Sequence, residues 1–154
     1  MDTAKEYLSQ EKYDELGAEL QELKTVARKE VAEHLEYAKS LGDLSENAEY
    51  HEARDKQADI EDRIKQIETI LKNALIIKTH KTGAVTVGSV VSVTRAGQKE
   101  ETFSIVGSEE ADRAMGKISH QSPLGAALLG KKKGDKVIIS TPKGELTYQL
   151  TDVK

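Results

Sequence analysis

Two stripes of apolar residues, matched when read in opposite directions, constrain this chain more than any other feature. Ala53, Gln57, Ile60, Ile64, Ile67, Leu71 and Ala74 keep a strict 4-3 spacing, the pattern of one seam of a coiled coil. Leu16, Leu20, Leu23, Ala27, Val31, Leu35 and Ala38 form a slightly less regular stripe on one helical face. A fold near residue 44 brings the two into register. The residue numbers of Leu16 with Leu71, Leu20 with Ile67, Leu23 with Ile64 and Ala27 with Ile60 total 87. Those of Val31 with Gln57, Leu35 with Ala53 and Ala38 with Tyr50 total 88. The pattern predicts an antiparallel helical hairpin whose arms of about 30 residues reach about 45 Å. Leu and Ile crowd its base while Ala38, Ala53 and Gln57 lie toward the turn, so the far end should be slim.

Composition says that most of this hairpin stands in solvent. Only 37% of the 154 residues are apolar and 32% are charged, too few apolar groups to bury both arms in a large core. Pairs such as Glu52–Lys56 and Glu61–Lys65 have the spacing for support along the outer face. Residues 1–78 carry 19 acids against 12 Lys and Arg, and residues 79–154 carry 8 acids against 11. An acidic helical half beside a mildly basic half argues against electrostatic nucleic-acid binding by the whole protein and for docking on another protein. The absence of cysteine excludes disulfides and thiolate metal sites and fits a reducing cytoplasm. The opening "MDTAKEYLSQ" is too polar for a signal peptide, and no apolar run approaches a membrane span.

After "NALIIKTHKTGAV" the helical period stops. Residues 1–78 are read as the hairpin, 79–83 as a linker and 84–154 as a second domain. The runs "VTVGSVVSVTRA", "EETFSIVG", "KVIIST" and "ELTYQLTDV" are β-branched and partly alternating, as strands are. In "SPLGAALLGKKKGD", Ser122 suits an N-cap, Pro123 a first helical position and Gly130 a left-handed helix end. The predicted class is α+β: a helical hairpin, then a small, largely antiparallel sheet with one short helix.

The turn "LGDLSENAEYHEA" places Asp43, Glu46, Glu49 and Glu52 where two helices meet. One reading is structural: Asp43-x-x-Glu46 has capping-box spacing just after Gly42, and acids favour a first helical turn. The other starts from position, because no core at the end of a solvated hairpin requires these acids. Two carboxylates can hold Mg²⁺ only with further ligands from elsewhere, so they amount to half a site. From the residues alone both readings stay open.

"GDLSENAEYHEARDKQ", "LKNALII", "ISHQSPLGAALLGKKKGDKV" and "TPKGELTYQL" resemble the bacterial GreA/GreB transcript-cleavage factors over essentially the whole chain, and "SPLGAALLGKKKGD" leans toward GreA. The resemblance implies an FKBP-like C-terminal domain that holds RNA polymerase near its secondary channel. It implies a hairpin inserted through that channel to a backtracked RNA 3′ end. Asp43 and Glu46 then act in the polymerase's own active centre and share its second Mg²⁺, with no cofactor bound by the factor alone. The chain is not an enzyme by itself on this reading, but a cytoplasmic monomer without membrane contact.

Ser45 and Asn47 are expected to support the tip as an alternative cap and a hydrogen-bonding amide, beside Glu49. Tyr50 is expected to pack against Ala38. His51 reads as an ordinary solvated histidine, with catalysis as the alternative, and Arg54 as an ordinary exposed arginine, with contact to the extruded RNA as the alternative. Lys131, Lys132 and Lys133 lack aromatic neighbours and read as a soluble helix end rather than a nucleic-acid site. Prolyl isomerase activity is set aside because the C-terminal half offers only Phe103 and Tyr148 for an aromatic pocket. Two further functions compete: a channel-binding regulator that inhibits polymerase without cleavage, and a chaperone-like coiled coil indifferent to changes at Asp43.

Overall fold

The computed structural model describes residues 5–78 and 83–154. They form two compact units: Tyr13–Asn73, and the described residues up to Lys12 together with those from Ala74 onward.

The first unit is the hairpin. Its first arm runs through α1 (Gln10–Glu22), a π-helical segment (Leu23–Ala27) and α2 (Arg28–Ser40), and its second arm is α3 (Ala48–Lys72). Val31, Ile60 and Ile64 are buried together, with Leu20, Leu23 and Ala27 packed around them. Leu35, Ala38 and Ala53 carry the seam to the turn, and Leu16, Ile67 and Ile70 are also buried. Ile70 rather than Leu71 is the buried residue at the base, so the stripe drifts there by one position, as 3.6-residue turns drift against a seven-residue repeat.

The π segment accounts for the change in facing totals from 87 to 88. The Arg28 amide donates to Leu23 O, five residues back, so this turn holds one extra residue. An extra residue in the first arm raises the first member of every pair nearer the turn by one. In the sequence it is the 4-4 step from Ala27 through Val31 to Leu35. The Thr25 hydroxyl donates to Gln21 O at 2.7 Å beside it, a local bond that competes with the regular helical ladder.

Ion pairs join the two arms, while Lys29 and Glu33, 4.0 Å apart, pair along α2. Arg28 Nε and Nη2 meet both Glu61 oxygens at 2.7 and 2.9 Å, Arg63 meets Glu19 at 2.7 Å, and Lys24 meets Glu68 at 2.5 Å. Glu61 thus faces Arg28 instead of pairing with Lys65. The Arg28 hydrogen bond holds the Glu61 carboxyl below its usual range and raises the guanidinium. Exposed pairs of this kind add little stability, but they penalise a slipped register.

Gly17 lies inside α1 with no heavy atom within 4 Å of where a Cβ would stand. Gly17→Ala is therefore expected to stabilise the hairpin by about 0.5–1 kcal/mol, read from urea unfolding of the helical signal.

The second unit has a five-stranded sheet in the order β5-β4-β3-β7-β6, made of β3 (Val90–Arg95), β4 (Glu101–Val106), β5 (Lys117–Ser119), β6 (Lys136–Thr141) and β7 (Gly144–Val153). All neighbours are antiparallel except β4 with β5. A bulge at Thr151 shifts the β3–β7 register, and the Thr151 hydroxyl donates to Ser92 O at 3.0 Å. The core gathers Val85, Val91, Val93, Ile105, Val137, Ile139 and Leu150 with Leu128 of α4 (Pro123–Leu128). Ser122 caps α4 by accepting from the Gly125 amide at 3.1 Å, Pro123 opens it, and Gly130 follows at φ +78°. These match expectation.

The expected hairpin boundaries need correction. Asn73 closes α3, and Ala74–Ile76 form β2, paired in parallel with β1 (Glu6–Leu8). Both strands group with the sheet unit, so residues 5–9 and 74–78 lie outside the hairpin. β1 runs so close to Gly107 that a Cβ there would stand 1.7 Å from Tyr7 O. The Tyr7 ring meets His120 edge-on at 5.1 Å, and the Glu110 carboxylate accepts from both the amide and the hydroxyl of Ser9. Of the linker expected at 79–83, only Gly83 lies within the described residues; its φ is +77°.

Candidate functional site

The turn between α2 and α3 is built by hydrogen bonds that leave its acids outside. At the end of α2 the Leu41 amide donates to Ala38 O at 3.2 Å. Gly42, at φ +122°, then turns the chain away in a conformation that L side chains rarely adopt. Asp43 closes the next step, as its Oδ1 accepts from both the amide and the hydroxyl of Ser45, each at 3.0 Å. These bonds, the backbone one first, hold the Asp43 carboxyl below the usual carboxylate range, so it stays ionised across neutral pH.

The capping box expected at Asp43-x-x-Glu46 does not form. Asn47 is the N-cap of α3, with Oδ1 accepting from the Tyr50 amide at 3.0 Å. Its Nδ2 donates to Ala38 O at 2.6 Å, so one side chain ties the start of α3 to the end of α2. This explains why Asn47 displaces Asp43: only the residue immediately before the helix can reach the third amide while its other end reaches the opposite arm. Ser45 likewise is no cap but the donor that orients Asp43.

The other expected tip residues fall in two groups. Glu49 lies in the first turn of α3, exposed and favourably placed for the helix dipole. Tyr50 is half-buried, and its ring meets His51 at 5.7 Å. His51 Nε2 lies 3.3 Å from Ser45 O, a structural contact from α3 back to the turn. Arg54 is exposed. Asp43, Leu44, Ser45 and Glu46 are all exposed, and among the described residues no hydrogen bond reaches Asp43 Oδ2 or either oxygen of Glu46. Tyr37, Leu41 and Leu44 leave 58%, 53% and 40% of their surface uncovered beside these acids, a feature with no periodic signal in the sequence.

Among the described residues no group of three or more His, Asp or Glu is arranged to hold a metal ion. The tip supplies two hard oxygen donors, one restrained and one free. That set fits Mg²⁺ only where other oxygens complete its shell.

In the sheet unit, Phe103 and Tyr148 come together after all. They line a groove of about 610 Å³ with Ile118, Leu124 and Leu146, and Glu101, Arg113 and Lys117 also border it. Lys131 and Lys132 are held through their backbones, Lys131 O accepting from the Val85 amide and the Lys132 amide donating to Asp135. The side chains of Lys131, Lys132 and Lys133 are exposed.

Known proteins resemble both halves of this sequence. A family model described as transcription elongation factor, N-terminal, matches residues 6–76, and one described as transcription elongation factor, GreA/GreB, C-term, matches residues 79–154. Transcription elongation factor GreA of Bacillus cereus is 47% identical over 158 aligned positions covering all of both chains. That of Listeria monocytogenes is 48% identical over 141 positions, 90% of this chain and 88% of its own. Among solved structures, the GreA factor homolog 1 protein of Thermus thermophilus aligns over 98% of this chain and 99% of its own at 27% identity, with a TM-score of 0.45. With family models across both halves and full-length relatives close to half identical, this chain belongs to the GreA/GreB family of transcription elongation factors.

Proposed function

We propose that this elongation factor stimulates cleavage of nascent RNA inside RNA polymerase, rescuing complexes in which the RNA 3′ end has been extruded by backtracking. The observation that carries the reading is the freedom of the tip carboxylates. Helix capping uses Asn47, so Asp43 Oδ2 and the whole of Glu46 remain available to another molecule. The hairpin enters the secondary channel and brings Asp43 and Glu46 beside the polymerase's own carboxylates. Asp43 and Glu46 would hold a shared Mg²⁺ there, and the chemistry gained is activation of water and stabilisation of the oxygens of a phosphodiester displacement. Asp43 offers one outward oxygen, and Glu46 accepts a proton or a hydrogen bond from the attacking water.

The reaction centre belongs to the polymerase on this reading, and the factor supplies two groups in trans without binding a cofactor alone. The sheet unit holds the polymerase outside the channel. The factor works in the cytoplasm as a monomer. Among the described residues no helix is long and apolar enough to cross a membrane.

The test combines the purified factor with stalled polymerase carrying 3′-labelled RNA. Accelerated release of the labelled 3′ fragment is the expected result. Slowed elongation without fragment release would favour a channel regulator that does not cleave.

A further inference from the structure

Resting on that function, we propose that Ser45 is a positioning residue for the cleavage reaction, occupying Oδ1 of Asp43 and so presenting Oδ2 as the one oxygen offered to a divalent cation. An exposed aspartate ordinarily samples several χ1 wells and a broad χ2. Here the Ser45 amide and hydroxyl both reach the same oxygen at 3.0 Å, which fixes the plane of the carboxylate. Hydrogen bonds to an ionised acceptor are the stronger kind, and two on one oxygen disfavour a bidentate grip on a cation. A one-oxygen ligand leaves more of an octahedral shell for water and phosphate, which Mg²⁺ retains in preference to protein cages.

The surroundings of Ser45 are built to hold it. His51 Nε2 approaches the Ser45 carbonyl at 3.3 Å from the first turn of α3. Asn47 binds that same turn to Ala38 O on the other arm. The residue that aims Asp43 is therefore anchored from α3, and α3 is anchored to α2. Glu46 has no such restraint among the described residues. The two acids thus divide into a fixed ligand and an adaptable one.

The test uses Ser45→Ala, which removes the hydroxyl donor and keeps the amide, and Ser45→Thr, which restores the hydroxyl. In the transcript-cleavage assay at saturating factor, Ser45→Ala should raise the Mg²⁺ concentration for half-maximal stimulation by about three- to tenfold, the worth of one hydrogen bond. Ser45→Thr should return it to the wild-type value. In the free factor, ¹⁵N order parameters at residues 43–45 should fall in Ser45→Ala and recover in Ser45→Thr, with α3 unchanged. Competition for polymerase should be the same for all three proteins. Wild-type Mg²⁺ dependence in Ser45→Ala, or equal defects in the Ala and Thr variants, overturns the proposal. A wild-type factor that fails to stimulate cleavage at all would instead overturn the function on which it rests.

Discussion

Asp43→Asn/Glu46→Gln is expected to abolish stimulated cleavage, by about 10²–10³-fold or more, while polymerase binding persists. Both changes keep size and shape and remove only charge. The amide that replaces the Asp43 carboxylate still presents an oxygen to the Ser45 amide and hydroxyl, so the turn should keep its form. Glu46 makes no hydrogen bond among the described residues, so its loss costs the fold nothing there. Both residues are exposed, and thermal unfolding should be unchanged. On the proposed function Asp43 and Glu46 would serve one metal, so each single variant should lose nearly as much activity as the double, since such groups act as a unit. Cleavage at the wild-type rate by the double variant, with binding confirmed by competition, would exclude a catalytic role for the tip and favour a regulator that works by occupancy.

Gly107→Ala should be the most disruptive single methyl group in the sheet unit. The backbone at Gly107 is ordinary, φ −67° and ψ 160°, and alanine adopts it without strain. The obstacle is distance alone: the new Cβ would stand 1.7 Å from Tyr7 O and 2.8 Å from Tyr7 C. Backbone atoms cannot rotate away as a side chain can, so β1 must move. Its departure would break the parallel pairing with β2, the Ile77 amide bond to Leu8 O at 2.8 Å, and the Tyr7–His120 contact. A cost of about 3 kcal/mol is expected, at the upper end of overpacking, with a fall in Tm of about 6–12 °C. Amide exchange should accelerate at Leu8 and Ile77 ahead of the sheet core. An unchanged Tm would mean that β1 is not docked against Gly107.

The hairpin was legible because burial on one face imposes a period, and two periods that meet head to tail can be tested by adding residue numbers. The strands that escaped notice are β1, β2 and β5, of three residues each. None is long enough to alternate, and β1 depends on a partner far along the chain, as in the pairing of Glu6 with Ala74. Ala74 itself continues the 4-3 stripe of α3, so periodicity alone carries the helix past its true end. At the tip, Asp43-x-x-Glu46 fits a capping-box template, whereas Asn47 has no acid or glutamine three positions on to mark it. Geometry decided between them, because Asn47 reaches the Tyr50 amide and Ala38 O together. The choice of Asp43 and Glu46 as functional residues came from family resemblance; their freedom from capping came only with the structure.

Over generations, the π segment at Leu23–Ala27 gives the hairpin room to change length. One residue added to a regular helix rotates everything beyond it by about 100°, which would turn a seam out to solvent. Here the surplus residue is swallowed in one wide turn, and the apolar face on either side stays in phase. The first arm therefore tolerates a miscounted length. Residues 41–47, between α2 and α3, have no comparable slack, because each position there sets where a carboxylate points. Insertions and deletions among descendants of this chain should collect in the arm and spare the turn.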